Sequence, residues 1–370
     1  MTKARNIAEL ANDISVDNNR DVTLNNLRGD QPMMFRNRII NGDMRIDQRN
    51  AGSAVTGSTA GSYTIDRWTA FQNYGTVTIQ QSTTAPSGFR NSYYTTVTSP
   101  ASVEENSIYS IVQHIEGSNV SDLNFGSSAA KTITISFQVR SSITGTYGVF
   151  LRNSAQDRYY ASTFSISSAN TFETKMITLA GDNQGTWLTD TGVGLTFGIV
   201  LGAGVNRQGT ENTWTGSSSG PYTTSSQIDW MSNSGATFYI TGVQLEEGTV
   251  PTPFEHRPIG MELSLCQRYF MRVNGRAIAY RRNDNLCSCF MTFPQCMRLK
   301  QPVLENITKG LLTNMQSQPY GTINDNSIAA TGESEMIRRG FLYIEFYTDN
   351  TGHTFIPSWE GFNFDVNAEL

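Results

Sequence analysis

Between positions 132 and 140, polar and apolar side chains alternate at every residue. A period of two residues predicts a β-strand that packs one face and leaves the other face wet. About nine short runs rich in β-branched and aromatic residues fall between positions 36 and 258, separated by turn-forming Gly, Ser, Asn and Pro. This succession predicts an all-β chain whose main body is a two-sheet sandwich of the jelly-roll type.

The charge content of the chain limits the classes of partner that it is expected to bind. Charged residues make up only 16% of the chain, against about 25% in an average globular domain, which favours a chain that buries surface against copies of itself. The net charge is −5 and the basic residues are scattered, so we expect no nucleic-acid partner, because phosphate binding needs a basic patch. The longest apolar run, residues 197–205, contains three glycines and is too short for membrane insertion.

The N-terminal segment has the pattern of an anchoring arm. Residues 3–14 place Ile7, Leu10 and Ile14 on one stripe of a predicted amphipathic helix, with charged residues opposite. A helix this short is marginal alone, so we expect it to dock on a partner, with the polar stretch 15–32 as an extended tether. A frayed terminus is the alternative. No apolar central region marks a signal peptide, so we expect synthesis and folding in the cytoplasm.

A second β region follows the main body. Three prolines between positions 251 and 258 are followed by apolar residues, which predicts a linker with a short helix that starts near Gly260. Residues 271–370 contain further strand-like runs, which predict a second, smaller C-terminal β-sandwich. We therefore divide the chain into an N-terminal helix and arm at 1–35, a jelly-roll domain at 36–258, and a linker helix with a C-terminal β domain at 259–370.

The sequence offers little for catalysis. It has three histidines and none of the nucleophile-elbow, zinc-protease or phosphate-loop motifs. The paired carboxylates at 104–105 and 246–247 are adjacent, so on a strand they point to opposite faces and cannot serve one substrate together. No repeat of solenoid period marks a β-helix depolymerase. We therefore expect a protein that is not an enzyme.

Several ordered stretches resemble a module of bacteriophage tail-fibre and minor structural proteins. Its opening resembles residues 37–49 (NRIINGDMRIDQR) and 63–68 (YTIDRW), and its far end resembles 243–248 (VQLEEG), 252–258 (TPFEHRP) and 262–270 (ELSLCQRYF). The resemblance covers 37–270 well and 271–370 loosely. It implies a jelly roll like that of carbohydrate-binding modules, with the first and last strands adjacent and Trp68 in the core.

The resemblance also implies a role in the phage particle. We expect a homotrimeric tail fibre in the virion, made in the host cytoplasm and attaching to the host surface, where it meets a glycan. The arm would join it to phage tail or capsid proteins, with Ile7, Leu10 and Ile14 as the virion-anchoring residues. The alternatives are a head or capsid fibre, a decoration protein, and a sugar-binding module without an adhesion role.

A sugar-binding site needs an exposed aromatic ring beside polar groups, because sugars present an apolar ring face and a rim of hydroxyls. The most loop-like segment, 206–222, contains Trp214 and Tyr222, and loops carry binding function more often than strands do. We add Trp187 and, in the C-terminal domain, Trp359 as glycan-binding candidates. A trimer-interface or loop-anchoring role is the alternative for these rings.

The resemblance to sugar-binding jelly rolls implies one cofactor candidate, a structural calcium between the first and last strands. Asp43 and Glu246 would supply oxygen ligands to such an ion, although no D-x-D-x-D run accompanies them. Ion pairs with Arg45 or Arg257 are the alternative for these carboxylates. We expect no other cofactor.

Overall fold

The structure is a computed structural model that describes residues 35–57, 63–216 and 220–281 without a break. The other described residues are 14–16, 22–24, 286–292, 294, 296–298, 303–308, 311–313, 319–321, 329–330, 341–347 and 358–369. Backbone alone is described at 14–16 and 22–24 and, apart from 294 and 296–298, for the described residues from 274 to 364. By its contacts the chain divides into two units, Met1–Asn37 and Arg38–Leu370.

Strands dominate the described residues, and one α-helix, α1 (Ile259–Gln267), accompanies them. In chain order the strands are β1 (Ile14–Val16), β2 (Val22–Leu24), β3 (Val55–Thr56), β4 (Tyr63–Ile65), β5 (Trp68–Gln72), β6 (Thr76–Ser82), β7 (Ser92–Ser99), β8 (Ile108–Glu116), β9 (Ile133–Ser141), β10 (Gly145–Arg152), β11 (Arg158–Ile166), β12 (Glu173–Leu179), β13 (Val193–Ala203), β14 (Thr213–Gly216), β15 (Thr237–Glu247), β16 (Phe270–Arg281), β17 (Leu286–Thr292), β18 (Val303–Thr308), β19 (Leu311–Thr313), β20 (Pro319–Gly321), β21 (Ala329–Ala330), β22 (Phe341–Tyr347) and β23 (Ser358–Asn367).

In the first unit, β1 pairs with β2 in antiparallel register, from Ile14 opposite Leu24 to Val16 opposite Val22. β-branched side chains suit such a ladder, because their restricted χ1 rotamers fit the pleated backbone. The predicted helix over 3–14 is therefore corrected at Ile14, which begins β1. Ile7 and Leu10, the other two predicted anchoring residues, lie outside the described residues.

Two antiparallel sheets form the body of the second unit. One has seven strands in the order β14-β11-β10-β13-β8-β5-β4, and the other has six in the order β12-β9-β15-β7-β6-β3. Strands that are distant in the sequence are neighbours in both sheets, as in a jelly roll. Between the sheets lies one large hydrophobic cluster. The predicted all-β class with a jelly-roll sandwich is confirmed.

The core between the sheets follows the alternation of the strands. Trp68 on β5 is fully buried, and its ring meets Phe197 on β13 edge-on, with 6.4 Å between ring centroids. Each apolar side chain of this size stabilises the fold by roughly 1.5–3 kcal/mol through burial. The core position predicted for Trp68 is confirmed, as is the inward face of β9, which buries Ile133, Ile135, Phe137 and Val139.

The C-terminal strands form a third antiparallel sheet in the order β20-β19-β23-β16-β17-β22-β21, with β18 also paired to β23. Its longest pairing joins β16 to β23, from Phe270 opposite Asn367 to Ile278 opposite Ser358. The helix α1 begins one residue before the predicted Gly260. None of the described helices is long and apolar enough to cross a membrane.

Candidate functional site

A groove of about 380 Å³ lies on the outer face of the seven-stranded sheet. Side chains from β5, β8 and β10 line it, together with one residue from each of the loops after β10 and β14. The strands β8, β13 and β10 lie side by side in its floor. The lining residues are Thr69, Phe71, Ile108, Ser110, Val112, His114, Phe150, Arg152, Gln156 and Tyr222.

Aromatic side chains stand on opposite sides of this groove. On β5, the Phe71 side chain is 41% exposed, although its neighbours Ala70 and Gln72 are buried. On the β10 side, the Tyr222 ring meets Phe150 edge-on, with 4.8 Å between ring centroids. The strands β5 and β10 are three strand spacings apart, which is roughly 14 Å. The groove therefore offers an apolar contact at each side of an open, water-accessible cleft.

Two glycines leave room for the Phe150 and Tyr222 rings at the β10 side of the groove. A Cβ atom on Gly198 of β13 would lie 2.1 Å from the Phe150 ring, so this ring occupies the place of a side chain on the neighbouring strand. A Cβ atom on Gly148 of β10 would lie 2.5 Å from the Thr223 hydroxyl oxygen. The loop after β14 therefore packs directly on β10, and this packing brings Tyr222 to the groove.

Polar groups form one row across the sheet. The cross-strand pairing runs from His114 on β8 through Thr196 on β13 and Arg152 on β10 to Tyr159 on β11. His114 Nδ1 lies 3.0 Å from the Thr196 hydroxyl oxygen. Burial, together with the positive charges of Arg152 and Arg67, lowers the pKa of His114 to about 3. The imidazole is therefore neutral at physiological pH and serves as a hydrogen-bonding group without charge.

The structure separates the predicted glycan-binding aromatics. Tyr222 lines the groove, but Trp214 and Trp187 pack edge to face, 5.4 Å apart, against the core between the sheets. Their indole N–H groups donate to the carbonyl oxygens of Ala180 and Gln184. Both tryptophans thus make the loop-anchoring contacts of the alternative interpretation. The fourth candidate, Trp359, lies on β23, and its side chain is outside the described residues.

Sequence reasoning missed most of the groove, including Phe71, Phe150, Arg152 and His114. A signal was present in β8 and β13, where apolar residues occupy both faces of the strand instead of one. In an antiparallel sheet this pattern indicates that the outer face is covered or binds something. The pattern does not say which strands lie beside β8 and β13, so it could not assemble the lining.

The two calcium candidates each have protein partners. Asp43 is buried and forms an ion pair with Arg45. Glu246 is buried and accepts hydrogen bonds from the backbone N and the hydroxyl of Thr252, each at 2.7 Å. No cluster of three or more His, Cys, Asp or Glu that could hold a metal ion occurs in the part of the chain that the structure describes. Asp43 thus follows the alternative interpretation, in which this carboxylate pairs with an arginine and is not a calcium ligand.

The stretches that carry the phage-fibre resemblance meet at one place, which we call the junction. Trp68 Nε1 donates to the Asn41 carbonyl at 2.9 Å, and Asn41 Nδ2 donates to the Asp66 carbonyl at 2.9 Å. The Asp66 side chain accepts hydrogen bonds from Gln48, whose amide also donates to the Phe270 carbonyl. The opening motif of the sandwich is thereby tied to the start of β16.

Charged residues complete the junction. Arg67, whose side chain is only 1% exposed, donates to Glu369, and Arg49 donates to the same carboxylate at 3.0 Å. The Arg67 guanidinium also lies 3.6 Å from the centre of the Tyr269 ring. Glu116 accepts hydrogen bonds from Arg268 and from the Tyr269 hydroxyl, at 2.6 and 2.7 Å. These motif residues hold the C-terminal strands to the sandwich, which is a structural role.

No protein-family model and no curated protein sequence matches the chain. Among solved structures, it is similar to the enzymatically active domain of tailspike protein 4 of bacteriophage CBA120, at 11% identity and a TM-score of 0.31, over 58% of this chain and 22% of that chain. It is also similar to the family 11 carbohydrate-binding module of Clostridium thermocellum, at 10% identity and a TM-score of 0.27, over 55% and 98% of the two chains. A third similar structure is TmCBM61 in complex with beta-1,4-galactotriose, at 8% identity and a TM-score of 0.29, over 58% and 99%.

Proposed function

We propose that the groove binds a glycan, and that the chain is a non-enzymatic structural protein of a phage virion, a trimeric tail fibre that attaches to a host-surface glycan. The observation that carries the glycan proposal is the exposed Phe71 ring across the groove from Tyr222, which is itself packed on Phe150. An exposed phenyl ring forgoes the stabilisation that burial gives, so its place in an open groove favours a binding role.

The lining of the groove suits the two-sided chemistry of a sugar ring. The apolar C–H face of the ring would stack on Phe71 or Tyr222 and displace water there. The hydroxyl rim needs donors and acceptors that do not demand a charge, and Ser110, Gln156 and the neutral His114 offer them. Five of the ten lining side chains are apolar or aromatic and five are polar or charged, so the groove offers both kinds of contact to one ligand.

The same lining favours binding without cleavage. None of the ten lining side chains is a carboxylate, whereas glycoside hydrolysis ordinarily uses a pair of carboxyl groups on either side of the scissile bond. The one histidine is neutral and holds a hydrogen bond to Thr196. We therefore expect the purified protein to release no reducing sugar from a glycan that it binds.

Glycan binding is tested with the purified full chain on immobilised glycans. Phe71→Ala and Tyr222→Ala each remove one ring, and we expect each to weaken binding at least tenfold, about the effect of one aromatic contact. Phe71 is exposed, so its loss should leave the fold intact. Met176→Ala is the matched control, because Met176 is 62% exposed on the six-stranded sheet. Binding that survives both ring removals, or no binding to any glycan, would contradict the groove proposal.

The virion assignment is supported by the resemblance of the junction motifs to those of phage fibre proteins. Removal of residues 1–34 should leave a folded oligomer that no longer joins particles, because those residues are the proposed arm. Continued incorporation of the shortened chain would contradict this layout. Light scattering should give a mass near three times the 40.9 kDa of one chain. Immunogold labelling on tails would support a tail fibre, and labelling on heads would support the head-fibre alternative.

A further inference from the structure

The groove carries one formal charge. Arg152 is the only charged side chain among its ten lining residues, and the other nine are neutral at physiological pH. Arg67 lies one strand beyond His114 in the same part of the sheet, and its positive charge acts on His114 together with that of Arg152. Arg152 therefore brings a positive charge to the β10 end of the groove.

Arg152 differs from the paired arginines of this protein. Arg67 is paired with Glu369, and Arg158 forms two hydrogen bonds to Asp182 at 2.6 and 2.7 Å. In contrast, no carboxylate among the described residues lies within 4.0 Å of the Arg152 guanidinium. Its Nε and Nη1 atoms are buried without a hydrogen-bond partner, and Tyr159 lies opposite it on β11.

A partly buried guanidinium without a counter-charge is costly for the fold, because removing a charge from water is not offset by a partner. The folded chain nevertheless keeps Arg152 at the edge of the aromatic groove. A ligand that brings a carboxylate to this place would supply the missing charge. Because Nε and Nη1 are buried, such a carboxylate would meet the part of the guanidinium that opens to the groove, through its charge and a charge-assisted hydrogen bond.

We infer that the groove selects a glycan that carries carboxylate groups, in the manner of a uronic acid, and that Arg152 is the residue that distinguishes it from a neutral glycan. This inference rests on the proposed glycan groove. The sugar ring stacks on Tyr222 or Phe71, and the carboxylate points along the row towards Arg152. Neutral His114 beside it adds a hydrogen-bonding group and does not compete for the negative charge.

The test uses the full chain and pairs of soluble oligosaccharides that differ only in charge. Each pair contains a hexuronate oligomer and its neutral methyl ester, for glucuronate, galacturonate and mannuronate. Titration calorimetry at pH 7 should show at least about tenfold tighter binding of the acid in any pair that binds. Arg152→Gln should remove this preference, and Arg152→Lys should keep part of it, because lysine retains the charge and loses the planar geometry. Arg140→Gln on the six-stranded sheet is the matched control for net charge.

The outcomes separate the inference from the proposed function. Equal binding of acid and ester, sensitive to Phe71→Ala, would overturn the carboxylate inference and leave the groove in place. Preference for the acid that persists in Arg152→Gln would also overturn it. Failure of every pair to bind would overturn the carboxylate inference alone, and the immobilised-glycan experiment with Phe71→Ala and Tyr222→Ala then decides the groove proposal. If Arg152→Gln does not fold, the salt dependence of the wild-type preference replaces it as the test. The preference for the acid should fall severalfold between 50 and 500 mM salt, because salt screens the charge pair. A preference that is independent of salt overturns the inference.

Discussion

Arg67 and Arg152 both lie close to His114, but their guanidinium groups have different surroundings. Arg67 is fully buried, and Glu369 and the face of Tyr269 neutralise and cover its guanidinium. Arg152 opens onto the groove without a carboxylate among the described residues. Both charges lower the pKa of His114, although burial is the largest cause. A single row of residues thus connects the structural junction to the proposed binding surface.

At the same scale, Asp66 makes stability depend on pH. Burial raises the pKa of Asp66 from 3.8 to about 6 in the folded chain. Between about pH 4 and pH 6 the native state therefore binds a proton that the unfolded chain does not bind. The ionised carboxyl therefore destabilises the fold above pH 6, and protonation relieves this cost as the pH falls towards 4. Asp66→Asn cannot ionise at this position. The unfolding free energy of Asp66→Asn minus that of the wild type should therefore be roughly 2 kcal/mol larger at pH 7 than at pH 4.5.

Urea unfolding of both proteins at pH 7 and pH 4.5 measures this difference. The lost or altered hydrogen bonds to Gln48 add a constant offset, which the comparison between the two pH values removes. A stability difference that does not change with pH would show that Asp66 titrates at its ordinary value.

At the scale of the elements, three strands with both faces in use define the groove. β8, β13 and β10 pack their inner residues into the core. On the outer face Val112, Phe150 and Val200 form a small apolar cluster, of which Val112 and Phe150 line the groove. Gly198 on β13 allows this arrangement, because the Phe150 ring lies over it from the neighbouring strand. The shape of the floor is therefore a property of the cross-strand neighbours, which β-sheet register sets.

Gly198→Ala tests this dependence. The added methyl group would overlap the buried Phe150 ring, which has to move towards Tyr222, and overpacking of this kind typically costs about 1–3 kcal/mol. We expect that loss of unfolding free energy, together with weaker glycan binding. Gly260→Ala is the control, because a Cβ atom there meets nothing within 4 Å. Equal stability of the two variants would mean that Phe150 can relocate freely.

At the scale of the whole molecule, the junction ties the C-terminal strands to the sandwich in the second unit. The pairings of Arg67 and Arg49 with Glu369 bring together residues about 300 positions apart in the chain. The hydrogen bonds of Arg298 to the carbonyls of Ala368 and Glu369, at 2.7 and 2.5 Å, hold the same segment. We therefore expect these parts of the chain to unfold together.

Glu369→Gln should destabilise the protein strongly, because it leaves the buried Arg67 charge without its counter-charge. Breaking such a pair costs about 3–5 kcal/mol. Glu247→Gln is the matched control, since the Glu247 pair with Lys131 is more exposed and exposed pairs contribute about 0–1 kcal/mol. Thermal and denaturant unfolding measure both variants. Similar small losses in the two would show that the junction does not couple the strands.

The sequence alone determined the features that depend on local pattern. The alternation around residues 132–140 predicts β9. The alternating run that contains Trp68, together with the module resemblance, predicts a core position for this ring, and the prolines before Gly260 predict the start of α1. All three agree with the structure. Of the proposed glycan contacts, it identified Tyr222. Hydrophobic period and turn residues are enough for these predictions, because each is set by neighbours along the chain.

Only the tertiary structure decided which strands are neighbours, and with them the groove and the junction. Phe71, Arg152 and Tyr222 come together because β5, β8, β13 and β10 adjoin out of chain order. Tertiary packing also placed the rings of Trp214 and Trp187 against the core between the sheets, where both are partly buried. Strand order depends on the relative energies of long-range strand pairings, which cannot be read from any local segment of the sequence. The groove could therefore be identified only in the folded molecule.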